Sequence, residues 1–132
     1  MTKYIVERQY PLHIVVDIDM SQPDADPANV INVPPNAVLL RGSVNVLVAF
    51  NGTTPKLTAI DNSTSPISLF GNLDATAVAY TAALVAGAGH EYPAGAVVNL
   101  GVSGTPTAGR AVVDLEYVVI GRANEVYTVG AP

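Results

Sequence analysis

The only concentration of carboxylates in the chain is Asp17, Asp19, Asp24 and Asp26, in which D-x-D spacing occurs twice. Oxygen donors at such spacing are what calcium needs, since Ca²⁺ takes six to eight of them. The geometry works against that reading. Asp17 and Asp19 fall on one face of a strand, about 6–7 Å apart at about 3.3 Å per residue, and share an ion only if the next loop folds back. No Gly follows either at the sixth position of an EF-hand loop. The expectation is a solvated strand end without metal. His13 and His90 are the only histidines. His13 shares a strand face with Asp17 but lies about 13 Å from it by the same rise, so this strand alone builds no His–Asp pair. Ser43, Ser63, Ser65, Ser68 and Ser103 offer hydroxyls, none of them inside a G-x-S-x-G elbow. Glu91 with Glu116 or Asp114 could form the two carboxylates of a glycosidase. A chain with eleven acids always permits some such pairing. No catalytic residue, cofactor or metal ligand is assigned.

Binding is the better prospect. Lys3, Tyr4, Ile5, Arg8 and Tyr10 sit in an N-terminal arm over residues 1–11. Tyr and Arg are the side chains that most often anchor protein interfaces, so these five are the candidate partner-binding residues. The competing reading is an ordinary first strand packed on its own domain. Sugar binding would use exposed aromatics, and the chain offers six Tyr but no Trp.

The elements expected to position these groups are strands. Leu12, Ile14, Val16, Ile18 and Met20 alternate with His13, Val15, Asp17 and Asp19, the period of a half-buried strand. A short strand at 30–33 ends at Pro34-Pro35, where the ladder cannot continue. Over 38–50 the pattern predicts Val38, Leu40, Val44, Val46, Val48 and Phe50 on one face, with Gly42 marking a bulge or bend. Asn51-Gly52 then reads as a hairpin turn, with 57–60 as the return strand. A short strand follows at 66–70. Residues 72–89 fit either a short helix capped by Asp74 and ended by Gly87, or a strand. Strands are clearest at 96–103 and 110–119, joined by the turn-rich loop 104–109, and 126–129 closes the set. Strands at this spacing form an all-β antiparallel sandwich or barrel, as a single domain over 12–132.

Composition narrows the partners. Of 132 residues 13 % are charged, about half the usual share, while 49 % are apolar, mostly Val and Ala. A net charge of −5 with six Lys and Arg argues against nucleic acid. The longest weakly polar run, 75–89, is shorter than the roughly 18–20 residues of a membrane span, and the first residues do not read as a signal peptide. Zero Cys excludes disulfides and thiolate chemistry. The charges are unevenly placed: between Val30 and Leu115 only Arg41, Lys56, Asp61, Asp74, Glu91, Arg110 and Asp114 are ionic. A nearly neutral body beside a charged N-terminal quarter suits a subunit that covers its surface against others.

Four segments together carry a resemblance: VNVLVAFN at 44–51, YPAGAVV at 92–98, GTPTAGRA at 104–111 and LEYVVIGRANEV at 115–126. In their order they resemble the capsid decoration, or cement, proteins of tailed bacteriophages, over about 38–129; the stretch 61–70 departs from that pattern. The resemblance implies a jelly-roll-like sandwich on the outer surface of the virion. It implies the major capsid protein as partner, self-association as a dimer or trimer, and no catalytic residue. Two alternatives remain: a head-fibre or tail component that binds host sugar, and a carbohydrate-binding module on the same fold.

Overall fold

Apolar residues at every second position fix a chain as sheet with one buried face, and two such faces close on each other. The computed structural model describes residues 4–22, 30–82, 89–122 and 125–129. Eleven strands occur there: β1 Tyr4–Arg8, β2 Leu12–Asp19, β3 Val30–Val33, β4 Ala37–Val48, β5 Lys56–Asp61, β6 Ser68–Asp74, β7 Ala79–Thr81, β8 Glu91–Tyr92, β9 Ala96–Ser103, β10 Arg110–Val119 and β11 Glu125–Val129. One sheet runs β2-β10-β4-β7, with β8 also paired to β4; the other runs β3-β9-β5-β6. All pairings are antiparallel. The chain crosses between the sheets in the order of a jelly roll, with β5 and β6 as neighbours in one sheet and β7 and β8 sharing the sixth of eight places. The expected fold class is thus the observed one.

The core lies between the sheets. Leu39, Val44, Val46, Val113 and Leu115 from one side meet Leu57, Leu69 and Val98 from the other, all fully buried. Burying a side chain of this size contributes about 1.5–3 kcal/mol. Strand β2 keeps its expected phase, with the even positions inward and His13, Val15 and Asp17 exposed.

Strand β4 departs from its expected phase. Its register against β10 slips between Arg110 and Ala111 and again between Glu116 and Tyr117, leaving Leu47 and Leu40 as extra residues. Each bulge switches the inward face. Ala37 and Leu39 are therefore buried, while Leu40 and Val48 of the predicted core face are exposed. Gly42 is not the bulge; it lies in regular register opposite Leu115.

Asn51-Gly52 forms no hairpin. Strands β4 and β5 belong to different sheets, and the dipeptide makes the corner between them. Asn51 holds the 104–109 loop: its Oδ1 accepts the Thr107 and Ala108 amides at 2.7 and 3.0 Å, and its Nδ2 donates to Thr107 Oγ1 at 3.0 Å. The helix alternative for 72–89 also falls, since no helix occurs among the described residues, although 83–88 lie outside them. Asp74 does cap, but a turn: its Oδ1 accepts the amide and hydroxyl of Thr76 at 2.9 and 2.7 Å.

Candidate functional site

The outer face of the β2-β10-β4-β7 sheet collects most of the charges of the sandwich. Register places His13 opposite Glu116, Val15 opposite Asp114 and Asp17 opposite Val112. Across β10, Ser43 is opposite Asp114 and Arg41 is opposite Glu116, while Tyr80 of β7 is opposite Asn45. Opposite and diagonal neighbours then pair. Arg110 donates to both oxygens of Asp17 at 3.1 and 2.8 Å, and hydrogen bonding to the guanidinium holds that carboxyl below its ordinary pKa. Arg41 grips Glu116, with Nε at 2.7 Å and Nη2 at 2.9 Å. His13 Nδ1 lies 2.9 Å from Asp114 Oδ1. The sequence reading excluded a His–Asp pair within β2 and missed this one, because it forms between strands.

This arrangement is not a hydrolase site. Asp114 stands between His13 on β2 and Ser43 on β4. A Ser-His-Asp relay needs the imidazole between hydroxyl and carboxylate. Nor does a glycosidase pair assemble, since Glu116 is tied to Arg41, Asp114 to His13, and Glu91 lies on β8 opposite Val38. For calcium, Asp17 is held by Arg110 and Asp19 by the amide and hydroxyl of Ser21. Asp24 and Asp26 lie outside the described residues, among which no three His, Asp or Glu gather at metal-binding distance. What the face does offer is a shallow groove lined by Arg41, Ser43, Tyr80, Asp114 and Glu116. Tyr80 is 70 % exposed there.

The arm residues fall in a second feature. Strand β1 pairs with β11 as a two-stranded ribbon outside both sheets, with Tyr4 opposite Val129, Ile5 opposite Thr128 and Arg8 opposite Glu125. Lys3 lies outside the described residues, and Tyr10 is exposed just beyond β1. The ribbon is rooted by Gln9. Its Nε2 donates to the Val119 carbonyl at 2.8 Å and its Oε1 accepts the Val119 amide at 3.0 Å. The side-chain amide thereby continues the ladder of β10 by one rung. Pairing of the two chain ends is a contact of maximal sequence separation, and no local pattern announces it.

One further group escaped the sequence reading. Asp61, at 2 % exposure, is the buried charged residue of the core among the described residues. Its Oδ1 accepts the Ser63 hydroxyl at 2.7 Å, the Ser63 amide at 3.2 Å and the Ile67 amide at 2.8 Å, and its Oδ2 accepts the Tyr92 hydroxyl at 2.7 Å. Burial pushes its pKa up, but the hydrogen bonds from Ile67, Ser63 and Tyr92 outweigh it and keep the carboxyl below its ordinary value. Burial and the Asp61 carboxylate push the Tyr92 phenol up. The signal in the sequence was an Asp in the inward phase of Leu57 and Ala59, followed by the D-x-S of a turn.

No family model and no curated protein matches this chain. Among solved structures, it is similar to a chain in the acidic stable capsid structure of Helicobacter pylori bacteriophage KHP30, with a TM-score of 0.65 at 15 % identity. The match covers 98 % of this chain and 100 % of that one, so the likeness is one of whole fold, end to end.

Proposed function

We infer that this chain is a non-enzymatic virion structural protein that decorates and stabilises a phage capsid from its outer surface. The observation that carries the reading is the end-to-end fold likeness to a chain of a phage capsid. The charge-poor surface supports it, with Val48, Val78 and Ile120 exposed on the sandwich and its connections. So does the ribbon: a lone pair of strands is marginal in water, and docking on a neighbour completes it. The partner is the major capsid protein, contacted by the ribbon and one loop end of the sandwich.

Stabilisation works by linkage. A protein that binds only the assembled, expanded shell stabilises that state by RT ln(1 + [L]/Kd), and many copies on one lattice add avidity. Purified protein should co-sediment with expanded capsids and raise their melting temperature; co-sedimentation with no capsid form overturns the reading. A receptor-binding head-fibre or tail component is the second reading, favoured by the exposed Tyr80 in a groove shared with Arg41, Asp114 and Glu116. Glycan binding lost in Tyr80→Ala would support it.

A further inference from the structure

Natural sheets protect their edges, and three of the four edges of this sandwich are protected. Strand β3 has four residues and runs into Pro34-Pro35; β7 has three residues. Strand β6 pairs with β5 through two register shifts, and its Asn72 has φ 50°. Short strands, prolines and bulges are the devices that keep an edge from pairing with another chain. Strand β2 has none of them. It is eight residues long, keeps unbroken register with β10, contains no Pro or Lys, and no described element pairs with its other side.

We propose that β2 is a self-association edge, on which a second copy of this chain pairs antiparallel about a two-fold axis at Val15, joining the two β2-β10-β4-β7 sheets into one. The register follows from the residues. A two-fold antiparallel pair must match residues whose numbers have a constant sum, and only even sums keep both outer faces on one side. Centring on Val15 sets Val15, 63 % exposed, against itself. It sets His13 of each copy against Asp17 of the other, which extends the Arg110–Asp17 and His13–Asp114 pairs into one alternating row. On the inner face it sets Ile14 against Val16 and Leu12 against Ile18, covering residues that are half-buried in the single chain except for Ile18. Shifting the centre to Ile14 sets Val15 against His13, and shifting it to Val16 sets Val15 against Asp17. Donor–acceptor matching of His13 with Asp17 on the outer face and apolar matching on both faces therefore select one register and one occupant.

The chain has no cysteine, so a single introduced thiol reports this contact alone. Facing residues of an antiparallel pair have Cα atoms about 4.5–5.5 Å apart, within the span a disulfide bridges. Val15→Cys should oxidise rapidly to a covalent dimer, whereas Tyr80→Cys, exposed at the opposite edge, should not. Light scattering of the unmodified protein should give a dimer. Val15→Lys, which sets two like charges face to face at an exposed site, should raise its dissociation constant about tenfold or more without lowering the melting temperature of the monomer. A monomeric or trimeric unmodified protein overturns the proposal. So does a dimer indifferent to Val15→Lys, or crosslinking of Val15→Cys no faster than of Tyr80→Cys. The proposal stands on the sheet edge alone, so a monomer that still binds capsids refutes it and leaves the capsid reading untouched.

Discussion

Asp61 joins the two sheets through a buried polar contact. Its carboxylate sits on β5 and receives the phenol of Tyr92, on β8 of the facing sheet, while three further donors from Ser63 and Ile67 shape the 62–67 loop. A hydrogen bond to a charged group contributes about 1.5–3 kcal/mol, so Tyr92→Phe should lower stability in urea unfolding by about that amount. The pH dependence has a definite sign. The folded-state pKa of Asp61 lies below its ordinary 3.8, so its contribution is complete above that value and fades as pH falls through the folded value. The stability gap between the unmodified protein and Asp61→Asn should be constant from about pH 7 down to about pH 5 and shrink towards about pH 3. A gap independent of pH would refute this assignment. The exposed pairs on the outer face, such as Arg110–Asp17, contribute little to stability by comparison. Strand periodicity correctly put Asp17 and His13 on one face. It said nothing of their partners, which depend on which strands become neighbours.

At the scale of elements, the strands and the corners were legible to different degrees. Strands β2, β3, β9 and β10 match their expected spans because alternation and flanking Pro or Gly are local properties of the chain. The phase of β4 was misread because a bulge inserts a residue without changing composition, and only the partner register reveals it. Asn51-Gly52 was read as a hairpin turn and instead makes the corner between the two sheets. Gly52 has φ +97°, and a Cβ there would collide with the Gly104 carbonyl oxygen. Gly52→Ala should therefore destabilise by more than about 1 kcal/mol, with the 104–109 loop losing protection in hydrogen exchange. The ribbon depends on its root. Gln9→Ala removes both bonds to Val119, and the amides of β1 and β11 should then exchange faster while those of β10 between residues 111 and 115 do not change. Equal protection in both proteins would show that Gln9 does not secure the ribbon.

For the whole molecule, an antiparallel sandwich or barrel was predictable from strand count and spacing, whereas the jelly-roll order was implied only by the resemblance. The pairing of β1 with β11 was not predictable, because it joins the two ends of the chain. Charge is scarce in the body of the sandwich, and on its outer face it is drawn into cross-strand pairs, which leaves Val15 and Tyr80 to face solvent or a neighbour. Such a surface suits a subunit whose neighbours complete it. If the ribbon is the shell contact, deleting residues 1–10 should abolish capsid binding while the sandwich still unfolds cooperatively; undiminished binding would remove the ribbon from that role. The most direct test of the central claim is the thermal stability of expanded capsids titrated with the purified protein. Saturable binding that raises the capsid melting temperature is the result expected. Saturating protein that leaves the melting temperature unchanged, with none sedimenting with the shells, would contradict it.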